Sequence, residues 1–423
     1  MKKTIVTIAV LALIAALALS LSGLRERDMS PGLITTRLAR IDTAIKAEVA
    51  AGKIAGAVAL IARNGQVAYH KPFGFADIES QAPMQPDSIF RIASMTKAVT
   101  SVAVMMLHEQ GRFQLNDPLA KYVPEFADMT VISEVDEQGN VKATVPATKP
   151  IRIIDLLTHS SGLAYPFIPS KLQASYREAG IIDGPTTLDV RLAEQMKLLA
   201  KQPLLFEPGS KFAYGLSTDV LGYLVEVIGG KPLDRFLAEE IFRPLGMRDT
   251  HFYLPTDKAD RLVTLYSHVD GTGLVAYQQS DFDTGTNEAL YPVSGAKTYY
   301  SGGAGLSSTA ADYTRFLQML LNNGELDGVR LLGRKSVELM RTARIDWDGD
   351  EVPDFGLGFA VVSDIGKSGE LSSVGTYAWG GAFNTVFWID PTEQLVGVYM
   401  SQARPTQSDM GDRFRTLVYQ ALE

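Results

Sequence analysis

Ser94 and Lys97 lie three residues apart at the head of an almost uncharged apolar run, "RIASMTKAVTSVAVMMLHEQ" (91–110). If that run is helical, the two side chains share a face with their Cβ atoms about 5–6 Å apart. An amine beside a hydroxyl is what a serine nucleophile needs, because a base must take its proton. The structural alternative for Ser94 is an N-cap, a position serine favours. A capping box, however, wants Glu or Gln three residues on, where this chain has Lys97. A lysine in the first turn also faces the positive end of the helix dipole. The helix that follows has no charged face, which marks it as buried. Burial at its mouth strips Lys97 of water and favours its neutral, proton-accepting form.

Ser-x-x-Lys alone recurs by chance, so further groups must converge on it. Tyr214, in "PGSKFAYGLSTDVLG", lies in a loop just ahead of a helix, a place from which side chains enter clefts. Taken alone, it reads as a core tyrosine. Gly380-Gly381, in "GTYAWGGAFNTVFWIDP", marks either close backbone approach of a ligand or a bulge. There is no Gly-x-Ser-x-Gly elbow and no Walker-type phosphate loop. The five histidines show no metal-ligand spacing, and His159 reads as structural. The acidic stretch "DWDGDEVPD" (346–354) has its glycine at the fourth place, not the sixth of a calcium loop, so a solvated loop is expected.

Ser94-Met95-Thr96-Lys97, then Tyr214, then Trp379-Gly380-Gly381 occur in an order that resembles the serine β-lactamase-like, penicillin-recognising superfamily. The likeness is strongest to class C β-lactamase-related esterases, the family VIII carboxylesterases. It runs from about residue 34 to the end, through "LLTHSSGL", "FAYGLSTDVLG" and "GGAGLSSTAADYTRFLQMLLNNGELDGVRLL". The resemblance implies Ser94 as nucleophile and Tyr214 as general base, then acid for the leaving alcohol. Lys97 would be the proton acceptor, or would favour the phenolate of a tyrosine whose free pKa is about 10. The backbone N–H groups of Ser94 and Ala382 would form the oxyanion hole, with Trp379, Gly380, Gly381 and Leu216 around the substrate.

Two departures bear on substrate. Where β-lactamases and D,D-peptidases carry Lys-Thr-Gly, this chain has neutral, bulky Trp379-Gly-Gly. Where their second motif ends in Asn, it has Leu216. Both remove polar groups that recognise lactams or peptides, and both suit a neutral ester of short to medium acyl chain. The alternatives are a β-lactamase or a D,D-peptidase or D-aminopeptidase, and, in a different class, a non-catalytic cell-wall binding module. Lys367-Ser368-Gly369 is a rival third motif, but among glycines it reads as a surface hairpin turn. No cofactor and no metal is implied.

These residues must be held by a globular scaffold. The 423 residues are 46% hydrophobic and 21% charged, which excludes a disordered chain. A net charge of -8 without a basic block excludes nucleic acid as the natural partner. Residues 1–22 read as a signal peptide: Lys2 and Lys3, an uncharged stretch, then small residues at Ala16/Ala18 and Ser20/Ser22. At roughly 20 residues the stretch would also serve as an uncleaved membrane anchor, the only membrane contact foreseen. The expected location is periplasmic or secreted, or held to the inner membrane. With no cysteine, no disulfide or thiolate metal site can form.

Helices are expected over 34–52, 152–159, 187–201, 217–229, 232–243, 308–324 and 408–422, besides the Ser94 helix. A hairpin is expected at Asn64-Gly65, and strands in "FGLGFAVVSD", "NTVFWID" and "QLVGVYMSQ". Residues 120–152 read as loop. Strands at both ends with helices between imply an α+β fold: an antiparallel sheet flanked by N- and C-terminal helices, with an inserted, mostly helical subdomain. The catalytic domain would span 32–423, its α/β part about 32–93 and 295–423 and its helical part about 94–294.

Overall fold

The computed structural model describes residues 29–277 and 289–423. The segment read as a signal or anchor, 1–22, lies outside them. Among the described residues no helix is long and apolar enough to cross a membrane.

The fold is α+β. Its centre is a seven-stranded, wholly antiparallel sheet. Three strands come from the N-terminal part: β1 (Gly56–Arg63), β2 (Gln66–Asp77) and β3 (Ala82–Pro83). Four come from the C-terminal part: β4 (Ala360–Val361), β5 (Tyr377–Gly381), β6 (Thr385–Asp390) and β7 (Leu395–Met400). The order across the sheet is β4-β5-β6-β7-β1-β2-β3, so β1 and β7 join the two ends of the chain. The β1–β2 turn is Asn64-Gly65, both at positive φ (51° and 75°), as a type I′ hairpin requires.

β1 is apolar on both faces because both are covered. Ala57, Ala59 and Ile61 pack with α1 (Thr35–Ala50) on one side, while Val58, Leu60 and Ala62 belong to the central core on the other. The C-terminal helix, α6 (Met410–Tyr419), shares α1's side, with Phe414 and Val418 around Trp388 of β6. Gly397 of β7 is obligatory there, since a Cβ would sit 2.2 Å from the Trp388 ring. Opposite lie α2 (Thr96–Glu109), all but two of whose residues are buried, and α5 (Ala310–Leu321).

The chain leaves this layer at Phe90–Arg91 and returns at Ser307–Ser308, and the two short segments pair antiparallel. Between them come α2, α3 (Ile153–Leu157), α4 (Ser217–Gly229) and several shorter helices. The expectation of loop over 120–152 is corrected: Thr130–Val135 and Val141–Pro146 form a hairpin. Its residues are mostly exposed or half-buried, so no alternating apolar pattern announced it. "FGLGFAVVSD" contributes only the two residues of β4. Gly358, at φ 91°, passes so close to α2 that a Cβ would lie 2.3 Å from Ser101 Oγ, which interrupts any longer strand.

Candidate active site

Ser94 is not a helix cap. It sits inside a 3₁₀ turn, Ala93–Met95, that leads into α2, and no side chain caps that helix. Ala93 has φ 41°, a left-handed conformation costly for a residue with a Cβ. Its methyl group is held by Phe383, Leu265 and Tyr277. Phe383 follows Ala382, so the end of β5 and the turn carrying Ser94 are packed together. Gly381 shows the same closeness: a Cβ there would lie 2.3 Å from the carbonyl oxygen of Ile92. Ser94, Gly380, Gly381 and Ala382 thus line one cavity of about 630 Å³, with Tyr214 and Trp379.

Lys97 is 2% exposed. Its Nζ donates to Ser94 Oγ (3.1 Å), Tyr165 Oη (2.9 Å) and the carbonyl of Gly303 (2.8 Å). Three acceptors satisfy the three N–H bonds of an ammonium. The Nζ also lies 4.7 Å from the centroid of the Tyr214 ring, a cation–π distance.

Tyr214 is positioned by two loops that run side by side. Ala213 N–H donates to the His159 carbonyl, and a Cβ on Gly215 would lie 2.4 Å from the Leu163 carbonyl. Ser217, the first residue of α4, pairs its hydroxyl with that of Ser161 at 2.8 Å. The Tyr214 ring packs against His159 (4.9 Å), Tyr165 (5.4 Å) and Trp379 (5.5 Å). Its hydroxyl accepts from the Trp379 indole N–H at 3.3 Å and makes no direct hydrogen bond to Ser94. Trp379, expected only as a neutral wall, is therefore also a donor to Tyr214. His159 is fully buried, and burial together with the Lys97 charge pushes its pKa well down, so it packs as a neutral ring.

Leu216 is corrected. It is 1% exposed in the core at the head of α4 and does not line the cavity, because the loop turns it away once Tyr214 has faced inward. Lys367-Ser368-Gly369 is not a hairpin turn but one helical turn, Ile365–Ser368, capped by Asp364 and closed by Gly369 at φ 63°. Lys367 lies on the cavity rim, 3.4 Å from Asp350. The acidic loop is a cavity wall as well. Trp347 packs edge-on to Trp379 at 5.6 Å, and Asp348, Asp350 and Asp354 line the opening. Carboxylate oxygens of Asp346, Asp348 and Asp354 come within 4.8 Å of one another. Burial and these neighbours push the Asp354 carboxyl up to about 6.

Sequence reasoning passed over Tyr165, Asp219 and Gly303, which surround Lys97 from behind. They stand in or beside motifs already singled out, "LLTHSSGL", "STDVLG" and "GGAGLSS", but nothing in their spacing distinguishes them from core residues.

A family model described as Beta-lactamase matches residues 41–421. Protein Rv1367c of Mycobacterium tuberculosis is 37% identical over 375 residues, which cover 85% of this chain and 88% of that protein. Esterase EstB of Burkholderia gladioli is 31% identical over 367 residues, 83% and 87% of the two chains. The solved structure of EstCE1, a hydrolase with promiscuous acyltransferase activity, is similar with a TM-score of 0.77 at 29% identity, covering 92% of this chain and 98% of that one. Across nearly its whole described length this chain belongs to the beta-lactamase family, as a serine hydrolase of the β-lactamase/transpeptidase-like fold with esterases among its relatives.

Proposed function

We propose that the protein is a carboxylesterase that cleaves short- to medium-chain esters through an acyl-enzyme on Ser94. The carrying observation is the cavity at Ser94. Its walls are Trp379, Trp347, Phe167, Val352, Val361 and Val362, and its two lining cations, Lys367 and Arg415, are each paired, with Asp350 and Glu370. A lactam or peptide carboxylate would find no free cation among these lining residues. A neutral ester needs none.

In this reading Ser94 Oγ attacks the ester carbonyl as its proton passes to Tyr214. The Ser94 and Ala382 N–H groups receive the oxyanion, where one such donor is worth about 10²–10³ in rate. Tyr214 then protonates the departing alcohol, and water enters by the reverse route to release the acid. In the same reading we take Lys97 as the ammonium that its three acceptors suit, donating to Ser94 Oγ beside the Tyr214 ring, and assign the proton to Tyr214. Hydrogen bonds of this kind often tighten only when substrate is bound, which is consistent with the free hydroxyls not touching. Esterase EstB among the relatives supports the ester reading. We also read residues 1–22 as an export signal, which places the enzyme outside the cytoplasm; N-terminal mass analysis of the exported protein tests that.

The test of activity is hydrolysis of p-nitrophenyl butyrate beside a chromogenic cephalosporin. Turnover of the ester alone is expected. Cephalosporin turnover without ester turnover would reverse the reading, and neither would favour a binding module.

A further inference from the structure

Behind Lys97 lies a buried group that the acyl transfer itself does not use. Asp219, on the first turn of α4, has no exposed surface. Its Oδ1 accepts from Ser301 Oγ at 2.6 Å and from the Gly303 N–H at 3.3 Å, while its Oδ2 has no hydrogen-bond partner among the described residues. Gly303 is the meeting point. Its carbonyl accepts from Lys97, and a Cβ built on it would lie 2.5 Å from Asp219 Oδ2 and 3.0 Å from Tyr165 Oη. The two oxygens are thus no more than 5.5 Å apart and share a space that only glycine leaves open. Gly302, beside it, is tied to α2 through Thr100 Oγ1 at 2.7 Å.

We propose that Tyr165 and Asp219 are positioning residues for Lys97: the Tyr165 hydroxyl fixes its direction, and the Asp219 carboxylate is the buried counter-charge that keeps it an ammonium. This rests on the reading of Ser94 as nucleophile with Lys97 charged. A buried ammonium needs both hydrogen-bond acceptors and a compensating charge. Asp219 makes no direct contact with Lys97 and faces it across the space at Gly303; burial pushes its carboxyl up, while Ser301, the Lys97 charge and the Gly303 N–H pull it down. The groups facing Lys97 are Ser94 from the preceding turn, His159 and Tyr165 from the loop after α3, Tyr214 from the loop before α4, and Asp219. His159 is neutral, so it adds no competing charge. Tyr165 stays a protonated phenol, because burial and the Asp219 charge both push it well up. Asp183 and Tyr299 also push the Tyr165 phenol up.

The test uses the full chain and follows two signals from about pH 5 to about pH 10: labelling of Ser94 by a fluorophosphonate probe, and hydrolysis of p-nitrophenyl butyrate. Tyr165→Phe keeps the ring stack on Phe167 at 4.7 Å and removes only the acceptor. It should slow labelling and lower kcat about tenfold or more while leaving KM in place. Asp219→Asn keeps an acceptor for Ser301 and Gly303 and removes the charge. Its alkaline limb should move to lower pH by about one unit or more. Tyr299→Phe, near the same carboxylate but with no side-chain hydrogen bond to lose among the described residues, should match the native chain in both signals.

Folded Tyr165→Phe and Asp219→Asn proteins with native labelling rates and an unchanged pH profile would overturn the proposal. So would variants that lose only thermal stability. If Asp219→Asn fails to fold, Tyr165→Phe decides alone. Failure of the underlying reading looks different: Ser94→Ala would then take up label as the native chain does. Labelling at Ser94 without ester turnover would sink the ester assignment and leave the Lys97 test intact.

Discussion

Replacing Trp379 with phenylalanine should separate its two roles. The ring contacts with Tyr214, Trp347 and Phe355, at 5.5, 5.6 and 5.3 Å, are largely kept, while the indole N–H is lost. That N–H reaches Tyr214 Oη at 3.3 Å, slightly long for an N–H···O bond. A hydrogen bond to an acceptor carrying negative charge contributes about 1.5–3 kcal/mol, and the length argues for the lower end. A loss of about 1.4 kcal/mol is tenfold, so kcat/KM should fall about tenfold. The assay is steady-state hydrolysis of p-nitrophenyl esters from acetate to octanoate. If the donor acts on Tyr214, every ester should lose the same factor, because Tyr214 handles the same proton in each. If Trp379 serves only as a wall, acetate should be untouched and the loss should grow with chain length, by up to about 0.8 kcal/mol per methylene that loses its contact. A length-dependent loss, or less than about twofold on all esters, would refute the hydrogen-bond argument.

Ser94→Ala should reduce ester hydrolysis to background with an unchanged melting temperature, since among the described residues the Ser94 hydroxyl bonds only to Lys97; calorimetry and turnover check both halves. Gly381→Ala should cost about 100-fold in kcat, because its Cβ would lie 2.3 Å from Ile92 O and from Thr385 Oγ1 and must push Ala382 away from Ser94; steady-state kinetics beside circular dichroism separate this from unfolding. Asp354, pushed up to about 6, holds a proton in the folded state that the unfolded chain gives up near 4. The favourable contribution of its protonated form is therefore present at low pH and lost as pH rises through about 6, so Asp354→Asn should melt higher than the native chain near pH 7 and equally near pH 4. His159 has the opposite sign of dependence. Its imidazole is kept neutral in the fold, so the stability it contributes is present above about 6.5 and is lost as the pH falls below that value; His159→Phe should flatten that stretch of the melting curve against pH.

Local rules carried the reading of the chain as far as each element obeyed its own pattern. α4 ends at Gly229, as "VIGG" implies, with Gly230 at φ 69°, and Asn64-Gly65 made its turn, because these signals act within a few residues. The nucleophile was legible for the same reason. Lys97 one turn after Ser94 is a short-range fact, and its conflict with the helix dipole pointed away from a cap. What could not be read was whatever depends on contacts across the chain. The partners of Lys97 are one such case: Tyr165 and Gly303, which surround its amine, lie 68 and 206 positions away. Leu216 looked like a substrate contact because it stands two residues from Tyr214, yet the turn into α4 sends it to the core. Glycine marks the boundary between the two kinds of knowledge. At Gly65 it reports a turn that its own neighbours explain, whereas at Gly303 and Gly381 it reports an approach by distant chain: Asp219 and Tyr165 at one, Ile92 at the other. Those two positions are where the sheet end and the helical half are pressed against the Ser94 turn, so the same close packing that hid the site's construction from the sequence is what holds its groups in register.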